Sequence, residues 1–168
     1  ITTGDQNTSI GYGAGGANQS GAEQVNIGYQ AGLACTSSGN VLIGKDAGLS
    51  ITSGEANIHI GVRAGDGYDT ESHNLSIGVD ALGGSVAGGE YNVAVGNFAL
   101  DSLTSGDSNT CIGYNAGTAI AASQLNTFVG WEAGKTLSDT GNVNVGIGAS
   151  ALQVMTTGNQ NTVVGGNA

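Results

Sequence analysis

Few residues of this 168-residue chain could carry out chemistry. The two histidines, His59 and His73, are 14 positions apart, and no shared acid or thiol accompanies them, so they lack the pattern of a metal-ligand set. We expect both to be solvated on the surface. Asp66, Asp69 and Glu71 stand close together and could offer carboxylate oxygens to calcium, although a solvated acidic bend is the simpler interpretation. The sequence therefore predicts a protein that is not an enzyme and that has no cofactor and no metal.

The dominant feature of the chain is a repeated phrase, spelled Asn-Thr-Ser-Ile-Gly-Tyr-Gly-Ala-Gly at residues 7–15. It recurs ten times, each time around a glycine that we call the pivot, and the pivots are 16 to 18 residues apart. Such a regular period predicts one short supersecondary unit stacked many times. The pivots are Gly11, Gly28, Gly44, Gly61, Gly78, Gly96, Gly113, Gly130, Gly148 and Gly165.

An asparagine stands four places before nine of the ten pivots, with Gln24 in the second repeat. In a stack of equivalent coils these side chains form one row, which we call the asparagine ladder, and their amides can satisfy turn amides that no strand reaches. Its members are Asn7, Asn40, Asn57, Asn74, Asn92, Asn109, Asn126, Asn144 and Asn161.

Two β-branched or aliphatic columns lie three places and one place before the pivot, with a variable residue between them. This period of two indicates a strand, and we expect its two regular columns to face the core and the variable residue to face outwards. Alanine three places after the pivot and a mostly apolar residue seven places after it, including Cys35 and the displaced Val86, complete the expected core. Each unit is interpreted as two short strands and two bends, with the pivot glycine at a positive φ.

These columns predict an all-β fold, a single-stranded β-solenoid (β-roll or β-helix) of ten coils of about 17 residues. Residues 1–168 would form one elongated domain, a rod about 48 Å long at a strand spacing of ~4.8 Å. We expect both ends to be uncapped, because residues 1–8 and 155–162 match closely and neither carries an unlike polar segment. Flanking segments, or copies stacked end to end into a filament, would have to cover them.

Composition excludes several functions. The chain has 32 glycines, no proline and a net charge of −10, which repels nucleic acid and anionic membranes. No apolar run approaches the ~20 residues that span a bilayer, so membrane insertion is not expected. Cys35 and Cys111 lie four to five coils apart, about 20 Å, which is too far for a disulfide. Cys111, in a variable strand position, could instead bridge to another chain.

A partial stripe of bulky residues directly follows the pivots, with Tyr12, Tyr29, Tyr114 and Trp131 as its aromatic members. An exposed stripe of this kind is typical of an interface between chains, and it could alternatively be a platform on which sugar rings stack. A threonine ladder for binding ice is not expected, because the shared threonine column falls on the side that we assign to the core.

The phrases Asn57–Gly65 and Asn109–Gly117 resemble the head repeats of trimeric autotransporter adhesins and, more closely, repeats of tail-fibre-like proteins of phages and bacteria. The resemblance covers all ten repeats. It implies a left-handed parallel β-roll, a homotrimer, and a location outside the cell, on the cell surface or on a virion, with a host-surface glycan or protein as a further partner. The resulting hypothesis is a non-enzymatic extracellular shaft, and the alternatives are a subunit of a self-stacking filament and a carbohydrate-binding rod.

Overall fold

The computed structural model describes residues 4–84, 88–137 and 141–168. It confirms the all-β solenoid: ten three-residue strands form one parallel sheet in which the strands follow one another in chain order. Each coil of the chain contributes one strand and returns to hydrogen-bond with the next. The strands are β1 Thr8–Ile10, β2 Val25–Ile27, β3 Val41–Ile43, β4 Ile58–Ile60, β5 Leu75–Ile77, β6 Val93–Val95, β7 Thr110–Ile112, β8 Thr127–Val129, β9 Val145–Ile147 and β10 Thr162–Val164.

The coils stack in register. Thr8 lies beside Val25 and Ile10 beside Ile27, and the same columns remain paired from β1 to β10. The pairing continues past the strands, where the Gln30 N–H donates to the Tyr12 carbonyl at 2.8 Å. Equivalent side chains therefore form ladders that run along the rod.

The second strand that we expected in each coil is not present in the described residues; a series of turns takes its place. The residues two and four places after the pivot have positive φ, as at Gln30 (55°) and Gly32 (59°). A left-handed residue at every second position bends the chain, so this half of the coil cannot extend into a strand. Leu82, Leu100 and Leu152 adopt the same conformation as the glycines of their column, with φ of 52° to 54°.

The predicted orientation of the strands was wrong. In β2 to β9 the middle residue is buried, and the two flanking columns are partly or largely exposed. The reason is parity: successive side chains of a strand point to opposite sides, and the ladder asparagine lies two residues before the middle position. Because the asparagines are inside, the middle residues are inside too, and the β-branched columns face outwards.

The core is a thin seam of the middle strand residues, the alanine column and the column seven places after the pivot, such as Ile51 and Leu137. From the second coil to the eighth the described members of these columns are almost fully buried, as expected for the latter two, and Met155 of the ninth coil is partly buried. Val86 lies outside the described residues. A single stack of this kind leaves little room, so a large side chain at one core position requires a small residue at a neighbouring one.

Two positions of the core exchange volume within each coil from the second to the ninth. Where the middle strand residue is larger, the residue four places after the pivot is glycine, and where it is small, that residue is leucine. A Cβ added to Gly134 would lie 2.5 Å from Cε2 of Phe128, and one added to Gly65 would meet the His59 ring at 2.5 Å. The larger residues with their glycines are Asn26/Gly32, Leu42/Gly48, His59/Gly65, Cys111/Gly117 and Phe128/Gly134; the small ones with their leucines are Ser76/Leu82, Ala94/Leu100 and Gly146/Leu152.

The pivot column requires glycine for two reasons. All ten pivots have φ between 130° and 146°, a region that other residues rarely adopt. In the first nine, a Cβ would also lie 2.5–2.7 Å from the carbonyl carbon of the next pivot, as at Gly113 above Gly130. The backbones of successive coils approach one another at this bend, so the column fixes the outline of the rod.

Candidate functional site

The asparagine ladder is a continuous row of buried amides. From Asn7 to Asn144 the Oδ1 of each ladder asparagine accepts the backbone N–H of the ladder residue in the next coil, for example Asn109 from Asn126 at 3.1 Å. The Asn109 Nδ2 donates to the Ser123 carbonyl at 2.8 Å. The members from Asn40 to Asn144 are at most 2% exposed. Burial without these bonds would be costly, so the ladder holds one coil on the next.

Gln24 interrupts the row in the second coil. Its longer side chain carries the amide past the ladder position, where Nε2 donates to the Ser37 carbonyl. Its Oε1 accepts from Nδ2 of Asn26 at 2.9 Å instead of accepting the backbone N–H of the ladder residue in the next coil. Gln24 and Asn26 are both fully buried, so the exception in the ladder supplies an acceptor for the Asn26 amide N–H in the core of the same coil.

The outward columns of the sheet form a surface that we call the strand face: the residues one and three places before each pivot. It includes Ile58, Ile112 and Ile147, which are 39–41% exposed although they lie in inner coils. None of its twenty residues is charged, and sixteen of them are valine, isoleucine or leucine. The other four are threonines that we expected to face the core, Thr8, Thr110, Thr127 and Thr162. Their outward position removes the reason given above for excluding an ice-binding face. They fill only four of the ten positions in their column, however, so they do not form a regular threonine ladder.

The aromatic stripe borders the strand face. Tyr12, Tyr29, Tyr114 and Trp131 are 77%, 47%, 44% and 52% exposed. Tyr12 and Tyr29 stack on each other, with centroids 5.6 Å apart and planes 15° apart, and the Lys45 ammonium lies 5.9 Å from the Tyr29 centroid. Stacking along the rod covers ring faces that a sugar would need: Tyr29 has Tyr12 and Lys45 as neighbours, and Tyr12 has one ring face against Tyr29.

His59 is buried, contrary to the expectation that it is solvated. As the middle residue of β4 it points inwards, where Nδ1 lies 2.7 Å from the Ser76 hydroxyl and its ring lies 5.5 Å from that of Tyr68. Burial lowers the pKa of His59 to about 3, so the ring is neutral at physiological pH. Its Nε2 and the Tyr68 hydroxyl have no hydrogen-bond partner in the described part of the chain. His73 is exposed and stacks on Tyr91 at 5.1 Å.

Cys111 is likewise buried rather than available to another chain. It is the middle residue of β7, and burial raises the pKa of its thiol. Cys35 is buried in the core column as expected, and both cysteines are free. A thiol without solvent contact is out of reach of reagents in solution, so neither cysteine provides reactive chemistry in the folded rod.

In the acidic bend of the fourth coil, the carboxylate of Glu71 accepts hydrogen bonds from the backbone. Glu71 Oε2 accepts the N–H groups of Asp69 at 2.9 Å and Thr70 at 3.1 Å, and its Oε1 accepts that of Gly88 at 2.9 Å. Burial raises the pKa of Asp66. These contacts explain the cluster as a turn that Glu71 ties to the next coil.

The described ranges contain no pocket and no group of three or more histidine, cysteine or acidic side chains that could hold a metal ion. They also contain no helix long and apolar enough to cross a membrane. The fold defines the class, a parallel β-solenoid repeat protein. A scan of protein-family models, a search of curated proteins and a search of solved structures each found no match to the chain.

Sequence reasoning missed the strand face, although the signal was present. The ladder asparagines and the middle strand residues have the same parity, so placing the ladder inside would have placed the β-branched columns outside. Hydrophobicity pointed the other way, because valine and isoleucine usually face a core. The exposed side chains of Tyr91, Leu125 and Val143, one place before the ladder, were missed as well.

Proposed function

We propose that this chain is a non-catalytic structural rod, the shaft of an extracellular fibre of the tail-fibre or adhesin type. The observation that carries the proposal is that the repeated columns serve to stack one coil on the next. Pivot glycines make the close approach between coils, ladder asparagines hold backbone groups, and alanines fill the corner. Because the repeated columns serve stacking, the variable columns are the positions at which a partner could be recognised.

The proposal includes self-association, because a fibre needs more than one chain in cross-section or along its length. The exposed apolar columns support it, since monomers seldom expose large contiguous apolar patches. The negative charge suits a soluble rod in an aqueous exterior. The resemblance of the phrase to adhesin and tail-fibre repeats favours a location on a cell surface or a virion.

A carbohydrate-binding rod remains the alternative function, with Trp131 and Tyr114 as its best positions. Trp131 is half-exposed. A glycan array with the wild type and Trp131→Ala tests this alternative. Binding that the substitution abolishes would support it, and binding that the substitution leaves unchanged would exclude this site.

The shaft proposal is tested by removing one coil and by locating the protein. Deleting residues 92–108 joins Tyr91 to Asn109 in phase, because Asn92 and Asn109 occupy the same column. We expect the variant to fold, with unchanged β-type circular dichroism, and small-angle X-ray scattering to show a rod shorter by about 4.8 Å. A variant that unfolds would contradict independent stacking of the coils.

Location is tested by immunogold labelling with antibodies against the purified rod. Cells or particles that carry the chain should be labelled along surface fibres. Label confined to the cell interior would contradict the extracellular shaft, whatever the shape of the isolated rod.

A further inference from the structure

We propose that two copies of this chain pair side by side as parallel rods, strand face against strand face. The proposal rests on the self-association included in the proposed function and names the surface and the partner. The strand face is the only outward surface of the described sheet, and the chain that contains it provides the partner of matching shape and length.

The chemistry of the strand face suits an apolar partner. Its two columns carry methyl groups and a few hydroxyls along the rod and no charge. These side chains contact water even in the inner coils, as the exposure of Ile58, Ile112 and Ile147 shows. Burying these side chains against another apolar ladder is favourable by roughly 25 cal/mol per Å².

The area of the face is sufficient for a specific complex only if nearly its whole length is covered. Ten coils give a length of about 48 Å, and two columns about 7 Å apart, with the width of their side chains, span about 13 Å. The face therefore offers about 600 Å² per chain and about 1,200 Å² in a pair, the lower end of specific interfaces. Tyr114 and Trp131, which border it, would add to this area. A contact over a few coils would be too small, so the two rods must lie in step.

A pair fits this surface better than a trimer. The ten strands belong to one sheet, and its exposed columns form one continuous face. Two such faces pack about 10 Å apart as in a β-sandwich, and each chain then uses a single contact surface. Three chains around an axis would require two contact surfaces on every chain.

The charges at the two edges of the face select the parallel orientation. The edge six places before the pivots carries Asp5, Glu55, Glu90 and Asp107 and no base. The opposite edge, one and two places after the pivots, mixes Lys45 and Arg63 with Asp46, Asp80 and Glu132 and is therefore less acidic. The Arg63 side chain is 49% exposed and pairs with Asp80, which is 14% exposed. A two-fold axis along the rod brings opposite edges together, and it places Glu55 and Arg63 of the fourth coil at the same height. Antiparallel rods would bring the two acidic edges together, which is unfavourable.

Sedimentation equilibrium of the purified full chain tests the pairing. We expect twice the chain mass of 16.4 kDa for the wild type. Ile112→Lys places an ammonium in the middle of the face and should weaken association at least tenfold. Val154→Lys is the matched control, because Val154 is 84% exposed and lies off the face; it should still pair. Circular dichroism and the scattering profile establish that both variants remain folded rods.

A monomer, a trimer, or association that Ile112→Lys does not weaken would overturn the proposal. If the rod shape persists in that case, the shaft itself stands and only its pairing fails; loss of the rod shape in the wild type would overturn the shaft as well.

Orientation is tested by double electron–electron resonance on a spin label at Tyr12→Cys, a position in the first coil that borders the face. Both native cysteines are buried and unavailable to the label. Parallel rods place the two labels at the same height. Antiparallel rods would separate them along the rod by nine coils, about 43 Å, and a distance of that size or more would overturn the parallel arrangement.

Discussion

The exchange of volume between Phe128 and Gly134 gives the sharpest test of the core. A Cβ at Gly134 would lie 2.5 Å from Cε2 and 2.6 Å from Cγ of the Phe128 ring, well inside normal contact. Two coils earlier the sizes are reversed: the strand has the small residue Ala94, and the large residue Leu100 stands four places after the pivot. We therefore expect Phe128→Ala and Gly134→Leu to be harmful singly and tolerated together.

The magnitudes follow from burial. Phe128 is fully buried, so Phe128→Ala should cost about 3–5 kcal/mol of unfolding free energy through lost burial and a cavity. Gly134→Leu should cost about 3 kcal/mol, from overpacking of 1–3 kcal/mol and a left-handed conformation at about 1 kcal/mol. In the double variant the leucine occupies the space of the ring, as Leu100 does beside Ala94, and the loss should be about 2 kcal/mol or less. The coupling energy would then be at least about 4 kcal/mol.

The assay is equilibrium unfolding in guanidinium chloride, followed by far-UV circular dichroism, for the wild type, both single variants and the double variant. Phe128→Ala combined with Gly65→Leu is the control, because Gly65 meets His59 in another coil rather than Phe128. That combination should be additive within about 0.5 kcal/mol. If the Phe128/Gly134 pair is also additive, the argument from exchanged volume is wrong.

Four further predictions concern single positions. Gly113→Ala should destabilise by more than about 3 kcal/mol, because the added Cβ overlaps the backbone of the next coil and the residue has a φ of 135°. Gly88→Ala has a φ of 118° and no atom of the described residues within 4 Å of the added Cβ, so it should cost only the conformational strain of about 1–2 kcal/mol. Equal losses in thermal unfolding would contradict the overlap argument. The pKa of His59 is lower in the folded state, so the unfolded state binds more protons and stability falls as the pH drops from about 6.5 to about 3. His59→Leu should remove about 2 kcal/mol of this loss at pH 5. A pH profile of stability that the substitution leaves unchanged would refute this prediction. Asn109→Ala should cost about 2–4 kcal/mol, because it removes the hydrogen bonds that the Asn109 amide makes with the Asn126 N–H and the Ser123 carbonyl in the buried ladder, and urea denaturation measures it. The thiol of Cys111 should react with a maleimide only after denaturation; rapid labelling of the native rod would contradict its burial.

The period of the sequence was sufficient to predict the architecture. A phrase repeated every 16 to 18 residues, with a strand pattern and a glycine at a fixed place, is compatible with few folds besides a stack of coils. The pivot glycine was also predictable, because its positive φ is a property of the local backbone. The row of asparagines followed from the same reasoning, since residues at equal places in equal coils must lie above one another.

What the sequence did not determine was which side of each strand faces the core. Val41 and Ile43 are more apolar than the residues that usually cover a surface, yet they lie outside, and Leu42 between them lies inside. Local pattern alone leaves this choice open, because both sets of side chains alternate with the same period. Only the closed coil decides it: the Asn40 amide must reach backbone groups of the next coil, and that requirement turns Leu42 inwards and leaves the β-branched ladders exposed.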